Sequence, residues 1–235
     1  MVEGLLLINK PPGVTSHDVV QVVRRKLGVQ RVGHTGTLDP MAQGLLILLI
    51  GRATKDQQRL QAHEKTYEAV LRFGTQTDTG DAMGKPIRSA PVPPLDRGRI
   101  TEVLASLKGP LAQRPPSYSA VKVRGRPAHW WARRHQPVTL PERLVHLSEV
   151  TLLRCTPETL TFRVHCSAGT YVRVLAELIA EQLGTLGHLT SLVRLRVGGW
   201  RIEDARSLAW VEASSPDAIA HALQPVCPPN VSSKG

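Results

Sequence analysis

Asp39 ends a loop rich in glycine and threonine, RVGHTGTLDP, over residues 31–40. Gly33 and Gly36 allow backbone angles that other residues avoid, and Pro40 restricts Asp39 to extended conformations. The carboxylate is therefore presented outside any helix, just before an apolar run of the chain. A carboxylate presented in this way can serve as a nucleophile or a base. The local sequence alone also leaves open a simple Asp-Pro turn without a chemical role.

Other motifs with catalytic or metal-binding potential are incomplete. Residues 78–80, DTG, match one half of an aspartic protease site, but that chemistry needs two such carboxylates and no second copy exists. Residues 80–85, GDAMGK, are one residue short of a phosphate-binding loop, and Pro86 stands where a hydroxyl would hold Mg²⁺. None of the nine histidines is paired at the spacing of metal ligands. We therefore expect no metal site and no nucleotide cofactor.

The elements around Asp39 can be predicted from the pattern of apolar residues. An unbroken apolar run over residues 44–50 is typical of a strand covered on both faces. Residues 16–27 predict a helix, because Thr15 or Ser16 can cap its start and Gly28 follows its end. Further strands are predicted over residues 4–9, 66–73, 118–123, 160–166 and 189–197, and further helices over residues 53–62, 101–107 and 171–183.

Helices and strands alternate irregularly along the chain, without the regular βαβ repeat of a parallel sheet. This order predicts an α+β fold with a mixed, largely antiparallel central sheet flanked by helices. We expect one domain over residues 1–212. Residues 213–235 carry several Ser and Pro residues and one Asn, and we expect them to form a short, poorly ordered tail.

The net charge of +11 is concentrated in one part of the chain. Residues 114–146, called the basic segment below, carry seven Lys and Arg residues against one acidic residue. Tyr118, Trp130 and Trp131 lie among these cations. Cations pair with phosphates and aromatic rings stack on bases, so this composition favours a nucleic acid partner over a solvated charged face.

Composition also excludes several classes of protein. Hydrophobic residues make up 41% of the chain, more than a disordered protein carries. The longest apolar run, residues 45–50, is far too short to span a membrane, and the start of the chain lacks the basic region of a signal peptide. The three cysteines have no metal-ligand spacing and fit a reduced compartment. We predict a cytoplasmic protein with no membrane partner.

The motif GHTGTLDPMAQGLL over residues 33–46 resembles the catalytic motif of the TruB family of tRNA pseudouridine synthases. Further segments match the family's motifs in the same order, and the resemblance extends over about residues 4–208. It leaves little room for a simple Asp-Pro turn at Asp39. The matching segments are NKP at residues 9–11, KTYEA at 65–69, TDTGD at 77–81, PPSYSAVK at 115–122, CSAGTYVR at 166–173 and GHL at 187–189, with Leu192 and Arg194.

The resemblance implies a pseudouridine synthase fold and the isomerisation of the uridine at position 55 in the TψC loop of tRNA. In that reaction the glycosidic C–N bond breaks and the uracil ring reattaches to the sugar through carbon. Asp39 matches the nucleophile, and Arg173 matches its partner, whose guanidinium would favour the ionised carboxylate and fix its orientation. Arg173 could instead contact a phosphate or form a surface ion pair. The reaction needs no cofactor, because it involves no net redox change or group transfer.

The resemblance also implies a set of substrate-binding residues. Tyr67 matches the residue that stacks on the target base. Tyr171 and Leu192 match the rest of the pocket, although Leu192 could simply belong to the core. His34 matches the residue that fills the space left when the base is flipped out of the folded tRNA. Lys10, in the first matching segment, completes the set.

The basic segment lies where the family has an insertion that grips the TψC arm of tRNA, and RNA is read there mostly by its shape and loop bases. Trp130 and Trp131 stand where relatives usually have Tyr and Lys, so we expect the detailed grip to differ. The residues that we predict to contact RNA are Lys122, Arg124, Arg126, Arg133, Arg134 and, outside the segment, Arg194.

Two other functions share these features. An RNA chaperone could use the same fold to refold tRNA, with catalysis secondary. The related guide-RNA-dependent synthases share the aspartate motif, but they usually add long basic tails and a C-terminal RNA-binding domain, which we do not expect here. We therefore predict a stand-alone tRNA pseudouridine synthase with its catalytic domain over residues 1–212, working as a monomer without guide RNA.

Overall fold

The structure, a computed structural model, describes residues 2–136 and 138–226. Two short 3-10 helices span Gly51–Asp56 and Ile202–Asp204. The α-helices are α1 (Ser16–Leu27), α2 (Gln57–Gln61), α3 (Arg97–Ser106), α4 (Ala128–Ala132), α5 (Val172–Gln182), α6 (Leu208–Ala213) and α7 (Pro216–His221). The strands are β1 (Gly4–Lys10), β2 (Val32–His34), β3 (Gln43–Ile50), β4 (Lys65–Phe73), β5 (Thr75–Thr77), β6 (Pro86–Ser89), β7 (Gly109–Gln113), β8 (Lys122–Val123), β9 (Arg126–Pro127), β10 (Arg143–Cys155), β11 (Thr159–Cys166), β12 (Gly187–Val197), β13 (Trp200–Arg201) and β14 (Arg206–Ser207).

Helix α1 begins and ends where its sequence predicts. The Thr15 hydroxyl accepts a hydrogen bond from Asp18 N at 3.1 Å, while Asp18 Oδ2 accepts one from Thr15 N at 2.8 Å. This reciprocal cap satisfies N–H groups that the first turn of a helix leaves without partners. Gly28 ends the helix in the left-handed conformation, with a φ of 63°. The predicted helix over residues 16–27 is confirmed.

One compact unit is formed by Met1–Tyr67 and Val193–Gly235. Its strands lie in the order β14–β1–β3–β12, with β2 paired to β3 and β13 paired to β12. Strands β1 and β3 are antiparallel, and nearly all their residues are buried, as their unbroken apolar sequences predict. The pairs β1–β14 and β3–β12 are parallel. The core on one face of the central strands includes Leu5, Leu7, Leu45, Ile47, Leu49 and Trp200.

The other compact unit is Glu68–Leu192. Its main strands have the order β12–β4–β11–β10–β7, where β4 and β12 contribute the parts of their lengths that fall within this unit. Strand β10 is antiparallel to both β11 and β7, and helix α3 packs on β10 and contacts α5. The basic segment contains the small β8–β9 hairpin and helix α4.

Mixed, largely antiparallel strand pairing with flanking helices confirms the predicted α+β class. Strand β10 has no counterpart among the sequence predictions, because many of its side chains are exposed and its apolar pattern is weak. The strand predicted over residues 118–123 forms only at Lys122–Val123, since the Tyr118 carbonyl accepts a hydrogen bond from Arg173 rather than from a neighbouring strand. No helix within residues 2–136 and 138–226 is long and apolar enough to cross a membrane.

The structure differs from the prediction of a poorly ordered tail over residues 213–235. Ser215 caps helix α7 by accepting a hydrogen bond from Ala218 N, and Ile219 on this helix is fully buried. Gln224 then exchanges two backbone hydrogen bonds of 2.8 Å with Leu5 in β1. A short helix with one buried residue and a bridge to a central strand is enough to order this part of the chain. Residues 227–235 lie outside the described residues.

Candidate active site

The loop that carries Asp39 is held by hydrogen bonds on both sides of the aspartate. Ser16, buried in the first turn of α1, accepts a hydrogen bond from Leu38 N at 2.9 Å, and its hydroxyl is 3.2 Å from the Leu38 carbonyl. After the aspartate, the Pro40 carbonyl accepts a hydrogen bond from Gly13 N at 2.8 Å. Asp39 itself is half-buried. Its position is therefore set by backbone contacts at the residues immediately before and after it.

Lys10 is a buried cation that supports the same loop. Its ammonium group donates to the carbonyls of Val14 at 2.7 Å, Pro11 at 2.9 Å and Pro40 at 3.4 Å. These three contacts account for the three donors of a lysine. Burial lowers the pKa of Lys10 to about 8, while the Asp39 carboxylate acts in the opposite direction. The two charges therefore interact, and Lys10 in turn favours the ionised form of Asp39.

Arg194 is a second buried cation, with 1% of its surface exposed. Its guanidinium donates to the carbonyls of Leu45 at 2.7 Å, Gly36 at 3.1 Å and Thr37 at 3.5 Å. Gly44, paired with Arg194 across β3 and β12, has a φ of 109°, and a Cβ there would collide with the Arg194 backbone. Arg194 therefore ties the first half of the loop to the strand that follows it.

The surroundings of His34 favour its neutral form, and the hydrogen bond at Nδ1 indicates the tautomer of that form. Burial is the main cause that lowers the pKa of His34, and the positive charge of Arg194 lowers it further. The backbone N–H of Gly36 donates to His34 Nδ1 at 3.2 Å. A ring nitrogen that accepts a hydrogen bond carries no proton, so the proton of the neutral ring is assigned to Nε2.

Tyr67 lies on β4, a strand whose side chains alternate between buried and more exposed positions. It occupies the buried side and is 8% exposed. Lys65 lies on the same side and donates to the carbonyls of Gln61 and His63. The start of β4 is thus tied to the end of the preceding helical segment.

In the other unit, Arg173 is the second residue of α5 and is 4% exposed. Its guanidinium donates to the Thr79 carbonyl at 2.6 Å and to the Tyr118 carbonyl at 2.9 Å, and its Nε lies 3.9 Å from Asp81 Oδ2. Asp81 is also buried and accepts hydrogen bonds from Thr79 Oγ1 at 2.7 Å and Met83 N at 3.0 Å. The sequence motif contains Asp81, but nothing in its type or spacing distinguishes it from the neighbouring turn residues.

The backbone of Tyr171, the residue before α5, is bonded to the amide of Gln113. Sequence reasoning missed Gln113, although it stands just before the matching segment at residues 115–122. Tyr171 is half-buried, and Leu192 on β12 is buried.

The aromatic residues of the basic segment organise its cations. The guanidinium carbons of Arg134 and Arg126 lie 3.7 Å and 5.5 Å from the centre of the Trp130 ring. Trp131 contacts Trp130 edge-on at 4.8 Å and donates through its indole nitrogen to the Val123 carbonyl at 3.0 Å. Helix α4 is therefore tied to the β8–β9 hairpin, with two arginines arranged over one indole ring.

The sequence model of the TruB family pseudouridylate synthase, N-terminal domain, matches residues 24–172, which is more than half of the chain. The chain belongs to the TruB family. Relatives named tRNA pseudouridine synthase B support this assignment. The protein from Aromatoleum aromaticum is 45% identical over 226 residues, covering 96% of this chain and 73% of the relative. That from Opitutus terrae is 42% identical over 224 residues, covering 95% and 93%.

Solved structures share the fold of this chain. A chain of a Cbf5-Nop10-Gar1 complex superposes with a TM-score of 0.72 at 28% identity, covering 95% of this chain and 60% of that chain. A chain of an H/ACA RNP bound to a substrate RNA containing 2'-deoxyuridine has a TM-score of 0.69 at 24% identity, covering 95% and 59%, and this likeness shows the fold alone. The TruB chain thus spans about three fifths of the length of these structures.

The residues predicted from the TruB resemblance fall in both compact units. Lys10, His34, Asp39, Tyr67 and Arg194 belong to the first unit, and Tyr171, Arg173, Leu192 and the basic segment to the second. The pairing of Arg173 with Asp39 stays a prediction. Lys122, Arg124, Arg126, Arg133 and Arg134 are all exposed.

Two predicted roles need correction. Arg194 is buried and donates to backbone carbonyls of the Asp39 loop, so it positions this loop instead of contacting RNA. Lys10 is fully buried with its three donors on carbonyls, so it likewise supports the loop rather than contacting the substrate. Both residues lie in motifs that the resemblance identifies, but a motif does not show which way a side chain points.

Proposed function

We propose that this TruB chain is a tRNA pseudouridine synthase that converts the uridine at position 55 of the TψC loop into pseudouridine. The observation that carries the proposal is the support of the Asp39 loop, in which two buried cations donate to carbonyls around a half-buried carboxylate. We further propose a catalytic domain over residues 1–212 that works in the cytoplasm, as a monomer and without guide RNA.

The proposed reaction requires a nucleophile and a pocket for the uridine from the protein. The bond between C1' and N1 breaks, a bond between C1' and C5 forms, the proton on C5 leaves and N1 gains a proton. Atoms and electrons balance, so no redox partner or transferred group is required. Asp39 acts as the nucleophile and must be ionised, and the positive charges of Lys10 and Arg194 favour that state.

Binding requires that the target uridine leave the folded loop of the tRNA, which costs a few kcal/mol. We propose that neutral His34 fills the vacated space, that Tyr67 stacks on the base and that Tyr171 and Leu192 line the rest of the pocket. The neutral state of His34 supports this role, because a planar, uncharged ring replaces a base at a lower desolvation cost than a charged ring. Arg173 partners Asp39 in this proposal.

The exposed arginines and lysine of the basic segment are proposed to bind the TψC arm. The arrangement of Arg126 and Arg134 over Trp130 supports this, since it holds two cations in one place with their charge available to phosphates.

The proposal is tested by incubating the purified chain with an unmodified tRNA transcript that carries 5-tritiated uridine. Isomerisation at C5 releases the tritium to water. We expect release by the native chain and none by Asp39→Asn, with tRNA affinity retained within a few-fold because the variant changes only one side chain of the site. Asp56→Asn is the matched control, since Asp56 forms a surface pair with Arg59 and should leave the rate unchanged.

Full activity of Asp39→Asn would show that the nucleophile is assigned wrongly. Tight tRNA binding by a native chain that releases no tritium would overturn the proposed enzyme and favour the RNA chaperone instead.

A further inference from the structure

The side-chain amide of Gln113 makes two hydrogen bonds to a single residue. Its Oε1 accepts from Tyr171 N at 3.0 Å, and its Nε2 donates to the Tyr171 carbonyl at 3.4 Å. Gln113 is the last residue of β7, pairs with Arg143 of β10 and is 3% exposed. Because an N–H must meet the oxygen and a carbonyl must meet the nitrogen, the two contacts define the orientation of the amide.

Tyr171 depends on this amide because it lies at the transition into a helix. Its backbone is extended, with φ of −98° and ψ of 104°, and its own side chain makes no capping bond to α5. The Tyr171 carbonyl also accepts the first bond of the helix, from Leu175 N at 3.1 Å. Its N–H precedes the helix and is bonded to Gln113. A hydrophobic residue at position 113 would remove this acceptor, and an unpaired N–H is costly where water cannot replace the partner.

Two residues beyond Tyr171 is Arg173, whose guanidinium donates to the Tyr118 carbonyl. The segment 113–118 is therefore joined to the first turn of α5 at both of its ends, by the Gln113 side chain and by the Tyr118 backbone. Residues 114–118 are also the first residues of the basic segment. The positions of Tyr171 and Arg173 thus depend on where β7 ends.

We propose that Gln113 is a positioning residue for the reaction: its amide fixes the backbone of Tyr171 and so sets where Tyr171 and Arg173 stand. The inference rests on the function proposed above. Gln113 contacts no reacting atom, and it acts through the two residues that it places.

The first test replaces Gln113 by methionine, which keeps the length of the side chain and removes both hydrogen bonds. Tritium release is followed in a single turnover, with the chain in excess over the tRNA transcript and at a concentration that binds all of it, and tRNA affinity is measured by filter binding. We expect the single-turnover rate of Gln113→Met to fall by about tenfold or more, because small displacements of reacting groups are costly, and the dissociation constant to change less than about threefold.

Gln76→Met is the matched control. Gln76 belongs to the same unit and its amide donates to the Glu177 side chain at 3.3 Å, away from the backbone of Tyr171. We expect this variant to keep the native single-turnover rate within about twofold.

The second test uses Gln113→Glu, which is sensitive to pH. An ionised carboxylate accepts from Tyr171 N, but its other oxygen then faces the Tyr171 carbonyl and repels it. A protonated carboxyl donates to that carbonyl as the native amide does. Burial raises the pKa of such a carboxyl above its usual value of about 4.3. We therefore expect the rate of Gln113→Glu, divided by the native rate at the same pH, to rise as the pH is lowered from about 8 to about 5.5.

The outcomes separate this inference from the proposed function. An active native chain whose rate is unaffected by Gln113→Met, or a Gln113→Glu ratio that does not change with pH, overturns the positioning role alone. If Gln113→Met does not fold, as judged by circular dichroism, the positioning role is tested by the pH dependence of the ratio between the Gln113→Glu rate and the native rate. A native chain that releases no tritium overturns the proposed function before any variant is compared.

Discussion

Lys10 and Arg194 are buried cations that can favour the ionised form of Asp39 although their main contacts are not with a carboxylate. Both side chains use their donors on backbone carbonyls. A carbonyl accepts a hydrogen bond but carries no net charge to cancel that of the donor. The positive potential of the Lys10 ammonium and the Arg194 guanidinium therefore remains within the loop. The same contacts that fix the backbone around Asp39 therefore also favour its ionised form.

The lowered pKa of Lys10 predicts a pH-dependent contribution to stability. Burial lowers this pKa from 10.5 to about 8. Between these values the unfolded chain binds more protons at Lys10 than the folded chain, so the contribution of Lys10 to the free energy of unfolding rises with pH and is constant below about 8. In urea denaturation, we expect the stability difference between the native chain and Lys10→Met to increase across this range. A flat or decreasing difference would contradict the lowered pKa.

For single residues, the sequence predicts which positions belong to the candidate site better than it predicts what each side chain does there. The motif over residues 33–46 indicates Asp39 as the candidate nucleophile, because the residue types and spacing of this motif are specific. The same motif comparison assigned Arg194 to RNA, whereas the structure buries it. Its carbonyl partners at Gly36 and Leu45 are about 150 residues away in sequence, and no local pattern reports such a contact.

At the scale of elements, helix α4 and the β8–β9 hairpin place Arg126 and Arg134 over the ring of Trp130. We predict that Trp130→Leu weakens tRNA binding about three- to tenfold, because leucine keeps the apolar bulk but loses the ring that attracts both guanidinium groups. Filter binding with the tRNA transcript measures this change.

Trp210→Leu is the control for that substitution. Trp210 contacts Arg206 at 5.3 Å in the other unit, outside the basic segment. An unchanged affinity for Trp130→Leu, or an equal loss in Trp210→Leu, would show that Trp130 does not organise an RNA contact.

Helices and strands could be predicted from the sequence where capping residues or an apolar run within the element mark them. Helix α1 could be placed because Thr15 and Gly28 mark its ends. Strand β3 could be placed because residues 44–50 form an unbroken apolar run, and each of these residues is buried. Strand β10 could not be placed, because many of its side chains are exposed and its apolar pattern is weak. Helix α7 was missed because a six-residue helix with one buried side chain leaves almost no periodic pattern.

For the whole molecule, the net charge of +11 is the property that sequence alone establishes and that most directly implies a polyanionic partner. The structure adds that the five cations predicted to bind RNA within the basic segment are exposed, whereas Lys10, Lys65, Arg173 and Arg194 are buried and bonded to backbone carbonyls. The buried cations shape the fold, and only the exposed ones can release counterions from tRNA.

This division predicts the salt dependence of tRNA binding. Replacing Arg133 and Arg134 by glutamine should reduce the slope of log affinity against log salt by about one unit for each phosphate contact that is lost. With the chain in excess and all of the tRNA bound, the single-turnover rate should stay unchanged, because the proposed chemistry uses neither side chain. Arg52→Gln with Arg201→Gln removes the same charge from exposed positions of the other unit and should leave the slope nearly native. Equal slopes for both double variants would mean that total charge, and not the basic segment, determines how the chain binds tRNA.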